Sequence, residues 1–284
     1  MEKYIAEKVE IDLRMKLGEG PVWQADTGTL SWVDILSGTL HILQDGQVIS
    51  VETGQYIGAA VPTDMDGQYL AALTTGFYLM DQTGLVSEIG RPCDLPLRYR
   101  FNDAKCDRKG RLFAGTIGLY GEEGKQGRLY CLEKGNITTI LEGMTLPNGM
   151  DWDDGRGLFY MIDTPTGKVE AYHYDGETAH ICHSHTAAVI EKGVPDGMTL
   201  DADGNLWVAQ WGGGKVCCYH AESGRKLAEV VVPASNVSSC CFGERDLDCL
   251  YITTAVSPGE EGSGYLYRVK TGCQGRKSYC YQSK

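Results

Sequence analysis

The chain has 284 residues, 42 % hydrophobic and 23 % charged, which excludes a disordered or collagen-like polymer and allows two domains of about 150 residues or one large unit. With 26 basic and 38 acidic residues it carries a net charge of -12, which repels phosphate backbones and anionic bilayers, so no nucleic acid and no membrane is expected as a partner. Thirty-seven glycines and nine prolines call for many tight turns between short elements, which favours β architecture.

The first segment, Met1 to Leu13, alternates acidic and apolar residues without a basic start or a long apolar run, so it reads as a strand and not as a signal peptide. No later stretch approaches the ~18 apolar residues of a membrane span. The eleven cysteines include the adjacent pairs Cys217/Cys218 and Cys240/Cys241. Their odd number and the lack of an export signal point to reduced, mostly buried thiols and a cytoplasmic location. The sequons at Asn136 and Asn236 are then expected to carry no glycan.

From Gly18 onward the chain repeats one phrase. Gly18-Glu19-Gly20-Pro21-Val22-Trp23 is followed by the apolar run Leu30-Ser31-Trp32-Val33, and a fainter copy begins at Gly58-Ala59-Ala60-Val61. Clear copies are Phe101-Asn102-Asp103-Ala104, Pro147-Asn148-Gly149-Met150-Asp151-Trp152 and Pro195-Asp196-Gly197-Met198. Each of these leads through a turn into a second apolar strand (Leu112 to Gly115, Leu158 to Met161, Leu206 to Ala209) and a third (Gly127 to Leu132, Lys168 to Tyr174, Lys215 to Tyr219). Ser239-Cys240-Cys241-Phe242 with Leu250 to Thr253 is the last copy. The second residues stand at 19, 59, 102, 148, 196 and 240, with steps of 40 to 48 residues. Short strands repeated at this period predict an all-β, six-bladed β-propeller with a central metal-binding channel, spanning 1-284 as one domain. A β-sandwich or a pair of barrels does not account for six copies of one phrase. The strand around Tyr4 to Ile11 is expected to close the ring beside Tyr265 to Val269.

The first strand of a propeller blade lines the central channel, so the second residues form a ring: Glu19, Ala59, Asn102, Asn148, Asp196 and Cys240. Carboxylates and amide oxygens converging there repel one another unless a cation lies between them. Hard oxygen donors suit calcium first, with magnesium, manganese or zinc also admitted. Singly, Asn148-Gly149 and Asp196-Gly197 also read as turn dipeptides. Cys240 lacks an adjacent histidine, which argues against a thiol nucleophile. His180, Cys182, His183 and His185 alternate along one strand, which leaves no tetrahedral metal set. Four tryptophans, at 23, 32, 152 and 207, are expected to pack between blades, with Trp211 beside Gly212-Gly213-Gly214 at the mouth.

These spaced phrases, together with Arg100-Phe101-Asn102-Asp103 and Ser239-Cys240-Cys241-Phe242-Gly243, resemble the regucalcin/gluconolactonase/luciferin-regenerating-enzyme family over about residues 7 to 270. The resemblance implies one divalent cation held at Glu19, Asn148 and Asp196, substrate binding at Arg100 and Asn102, and hydrolysis of a small-molecule sugar lactone. A family glutamate that contacts substrate aligns near Tyr120, with Glu122 and Glu123 close but out of register. In the expected mechanism the cation polarises the lactone carbonyl and Asp196 serves as the general base. A phosphotriesterase or other metal-dependent esterase, or a calcium-binding propeller without catalysis, is the alternative. The chain is expected to be a monomer or a weak homodimer.

Overall fold

The computed structural model describes residues 1–119 and 126–283. Six sheets, each with four antiparallel strands and one with a further parallel edge strand, follow one another around an axis, each starting with an inner strand: Gly18–Gln24, Ile57–Pro62, Tyr99–Cys106, Pro147–Asp153, Val194–Leu200 and Val237–Gly243. This is the six-bladed propeller that the repeat predicts. Among the described residues the one helical element is a 3-10 turn, Thr164–Thr166, and no helix is long and apolar enough to cross a membrane.

The second strand of each blade reads as a continuous apolar run because both its faces are covered by neighbouring blades. Thr29–Asp34, Tyr69–Leu73 and Cys249–Thr254 are buried along their whole length. The apolar residues form six clusters, one between each pair of adjacent blades, so the core is an annulus and the axis is left to polar side chains. Trp23, Trp32, Trp152 and Trp207 belong to that annulus. The eleven thiols are unbridged, six of them on the inner three strands of blades 5 and 6 or in the neighbouring core.

Ring closure uses the N-terminal segment, but more sparingly than expected. Glu7–Lys8 pairs with Tyr267–Lys270 and completes blade 6. Tyr4 belongs to Glu2–Ile5, which runs parallel to Lys226–Val231 and adds a fifth strand to blade 5. The opposite end of the channel carries a strap that the repeat does not announce. Residues 274–283 leave blade 6 and touch every other blade in turn. The Gly275 amide donates to the Leu247 carbonyl at 2.7 Å, and the Gln274 carbonyl accepts from Ala202 at 2.7 Å. Arg276 donates to the Trp152 carbonyl, Lys277 pairs with Asp26, Tyr281 exchanges backbone bonds with Pro62 and Asp64, and Gln282 donates to Gly110.

Each inner strand also carries one extra residue at the same place. Phe101 pairs with Thr116 and Ala104 with Ala114, so Asn102 and Asp103 together face Gly115. Asn148-Gly149 and Asp196-Gly197 are bulged in the same way, and Gly20, at φ 52°, lies in the bulge after Glu19. Such a bulge turns side chains out of the ladder and re-aims them, here toward the axis.

Candidate active site

In blade 2 the bulged residue is Gly58, one position before the residue that the repeat selects, and in blade 6 it is Ser238, two positions before. Ala59 and Cys240 therefore do not face the channel. Ala59 packs between blades 2 and 3, and Cys240 lies in the core between blades 5 and 6 with its Sγ 3.5 Å from the Trp207 carbonyl. Burial pushes that thiol up to about 12, which leaves it protonated and inert as a nucleophile. The histidine cluster lies on an outer strand, Ile181–Val189, where His183 pairs with Glu170 at 3.0 Å.

The other four ring members share one cavity of about 300 Å³. Glu19, Asn102, Asn148 and Asp196 form its floor, each buried to within a tenth of its surface, and Arg100 stands at its wall. Trp211 borders it from blade 5, as expected for the mouth.

The two Asn-Gly and Asp-Gly dipeptides are not turns. Both glycines lie in strands with negative φ. Their lack of a side chain serves close approach instead: a Cβ on Gly149 would lie 2.6 Å from the Asp196 carbonyl oxygen, and one on Gly197 would strike Ser239. Inner strands pressed this closely bring each polar side chain to its neighbour. Asn148 Nδ2 donates to Asp196 Oδ1 and to Thr164 Oγ1. Asn102 Nδ2 donates to the Pro147 carbonyl at 3.1 Å, and its Oδ1 accepts from Arg100 Nη1 at 3.0 Å. Asn102 thus orients the guanidinium, which also donates to the Phe101 carbonyl at 2.9 Å.

Charge is unbalanced at the floor. Burial, then the Asp196 and Asp103 carboxylates, raises the Glu19 carboxyl well above its ordinary value. Asp196 is raised as well, by burial and by Asp103, against the pull of the Asn148 hydrogen bond. Asp103, the bulge partner of Asn102, is pushed up to about 6 chiefly by burial. Burial also draws Arg100 down to about 10. Lys105, deeper in the channel, is committed to Asp151 at 3.0 Å and to the Met198 carbonyl at 3.1 Å.

One further observation concerns Asn148 Oδ1, a buried oxygen without a hydrogen-bond partner. Such an orphan costs about 1–3 kcal/mol, and beside two buried carboxylates it makes an all-oxygen donor set that fits a hard cation. Among the described residues no three His, Cys, Asp or Glu side chains gather around one point, so the set depends on the amide.

Several positioning residues carry no repeat signal that singles them out. Thr164 orders Asn148 from the 3-10 turn after the second strand of blade 4. Asp34 accepts from the Lys16 and Leu17 amides at 2.9 and 3.0 Å, and Asp163 accepts from Leu146 at 2.7 Å and from Thr145. Both stand 15 residues after a floor residue, Glu19 or Asn148, and pin the loop that feeds its strand. Tyr120, Glu122 and Glu123 lie outside the described residues.

Residues 17–256 match the SMP-30/gluconolactonase/LRE-like region. A pentonolactonase of Haloferax volcanii is 36 % identical over 95 % of this chain and 96 % of its own length. Regucalcin of Danio rerio is 34 % identical over 94 % and 92 %. Among solved structures, a calcium-binding regucalcin from Agrobacterium tumefaciens superposes with a TM-score of 0.91 at 25 % identity, covering 99 % of both chains. A luciferin-regenerating enzyme matches with the same score and identity over 98 % and 99 %. The chain belongs to the SMP-30/gluconolactonase/LRE-like family.

Proposed function

We propose that the chain is a divalent-cation-dependent lactonase that opens sugar lactones. The observation that carries this reading is the orphaned Asn148 Oδ1, which shares with the buried carboxylates of Asp196 and Glu19 the floor of a cavity whose wall holds an oriented guanidinium. Glu19, Asn148 and Asp196 would hold the cation, with calcium preferred for an all-oxygen set. When bound, it supplies Lewis acidity and positive charge beside the lactone carbonyl.

The remaining chemistry belongs to the chain. Arg100 offers Nε and Nη2 to sugar hydroxyls or the ring oxygen, in a planar fork that Asn102 holds through Nη1. Asp196 Oδ1 accepts from Asn148, so Oδ2 is the oxygen placed to take a proton. Water attacks the carbonyl carbon as its proton passes to Asp196. The bond between acyl carbon and ring oxygen then breaks, and that proton is delivered to the departing oxygen, which leaves a hydroxy acid. Leu17, Leu146 and Val194, each two residues before a floor residue, form an apolar collar that limits water above the reacting atoms.

The test is hydrolysis of gluconolactone and xylonolactone after chelation and readdition of calcium, magnesium, manganese or zinc, with Asp196→Ala in parallel. Turnover that depends on the cation and is lost in the variant supports the reading. A tightly bound cation with no turnover of either lactone overturns the lactonase assignment and leaves a cation-binding propeller.

A further inference from the structure

The residues two positions before Glu19 and before the bulge of every other blade form a second tier above the floor: Leu17, Tyr56, Arg100, Leu146, Val194 and Asn236. Four of these tier residues line the cavity, and its wall takes no residue from blade 2 or blade 6. At blade 2 the bulge of the inner strand carries only the small residues Gly58, Ala59 and Ala60. Immediately beyond it lies a shallow groove of about 440 Å³ whose apolar wall is Leu36, Tyr56 and Leu119.

Three connections make this groove continuous with the cavity. Ile35 lines the cavity and Leu36 the groove, on consecutive residues of one loop. Ile117, which pairs with Arg100 on the second strand of blade 3, lines the cavity, and Leu119, just past the end of that strand, lines the groove. Tyr56 lies close enough to Arg100 to act on its charge. Leu36 and Tyr56, 44 % and 40 % exposed, stand together on this groove. A sugar lactone, with hydroxyls on most of its carbons, offers them no alkyl chain to bury.

We infer that this groove is a subsite for an apolar substituent on the lactone ring, so that the natural substrate class extends to alkyl-substituted lactones. The inference rests on the lactonase reading. The carbonyl and ring oxygen would sit over the polar floor beside Arg100, while an alkyl chain on the ring carbon next to that oxygen leaves through the open blade 2 side and lies against Leu36, Tyr56 and Leu119.

The test is kcat/KM of the cation-loaded enzyme for a series of δ-lactones substituted with methyl, propyl or pentyl, beside gluconolactone. Burial of a methylene is worth at most ~0.8 kcal/mol, or about fourfold. In a groove open on one side, a rise of roughly twofold per methylene is expected, and at least about tenfold from methyl to pentyl. Leu36→Asn with Leu119→Asn should flatten the series and leave gluconolactone turnover within about twofold. Leu36→Asn alone, at an exposed loop position, guards against misfolding of the pair and should reduce the slope. A flat series in the native enzyme, or an unchanged slope in both variants, overturns the subsite while gluconolactone turnover keeps the lactonase reading. Absence of turnover with every lactone overturns both.

Discussion

Replacement of Gly149 by alanine separates two meanings of one dipeptide. If Asn148-Gly149 were a turn, the substitution would cost what it costs at Gly46. That residue sits at φ 76° after Asp45 at φ 51° in the hairpin between Thr39–Gln44 and Gln47–Glu52, with nothing within 4 Å of an added Cβ. There an alanine meets only the left-handed backbone penalty of about 1–2 kcal/mol. At Gly149 the backbone is extended, but the Cβ would stand 2.6 Å from the Asp196 carbonyl oxygen and 2.6 Å from the Met198 nitrogen, both main-chain atoms of the next blade. Those atoms cannot rotate away, so the strands must part by several tenths of an ångström. Overpacking of this kind costs about 2–3 kcal/mol, or roughly 4–12 °C in Tm for a chain of this size. The displaced strand is the one that bears Asp196, so cation affinity should fall in Gly149→Ala and stay unchanged in Gly46→Ala. Differential scanning fluorimetry and calorimetric titration with calcium read both effects. Equal melting shifts with equal cation affinity in the two variants would refute the close-approach explanation.

Further consequences follow from other parts of the molecule. Arg100→Lys keeps the charge and loses the fork, so kcat/KM on gluconolactone should drop about tenfold or more, the equivalent of one charged hydrogen bond of ~1.5–3 kcal/mol; unchanged steady-state kinetics would remove Arg100 from substrate binding. Asp163→Ala strands the Thr145 and Leu146 amides and should both lower stability by about 1–3 kcal/mol in urea and weaken cation binding. Tyr281, 2 % exposed between blades 2 and 3, should cost about 3 kcal/mol as alanine. Lys277→Ala, which breaks only an exposed pair with Asp26, should cost under ~1 kcal/mol. Burial lowers His41 to about 4. A base depressed on folding contributes stability that is present above its unfolded value near 6.5 and is lost as pH falls toward 4. With calcium bound, urea midpoints should decline over that window, and less so in His41→Leu.

Much of this architecture is legible because a propeller writes the same phrase once per blade. The period locates the inner strands, and equivalence between copies brings Glu19, Asn102, Asn148 and Asp196 to one floor although up to 177 residues separate them. Equivalence fails at Ala59 and Cys240 because the degenerate copies match the others in their apolar residues, while the bulge sits earlier, at Gly58 by one position and at Ser238 by two. At Ala59 the one-residue slip sends the side chain to the opposite face. Gly149 and Gly197 mislead for a related reason: a glycine is required equally by positive φ and by a neighbouring backbone, and the dipeptide does not distinguish the two. Thr164, Asp34 and Asp163 act through backbone geometry outside the repeated phrase. The strap at 274–283 has neither period nor apolar pattern. Its hold comes from scattered single contacts with loops far apart in the chain, which local sequence does not encode.

Thermal melting between about pH 4 and 8, in chelator and with added calcium, tests the cation site most directly. Glu19 and Asp196 are raised by burial and by neighbouring carboxylates. An acid raised on folding contributes stability that is full below its unfolded value near 4 and is lost as pH climbs through its folded value. Without cation the chain should therefore soften as pH rises, and calcium should restore it by an amount that grows with pH. Asp196→Asn should soften less than the wild type in chelator, exceed its Tm at the alkaline end, and gain almost nothing from calcium. A wild-type Tm that is indifferent to calcium and to the other divalent cations across the range, with Asp196→Asn following the same curve, would contradict a cation centre at the floor of this propeller.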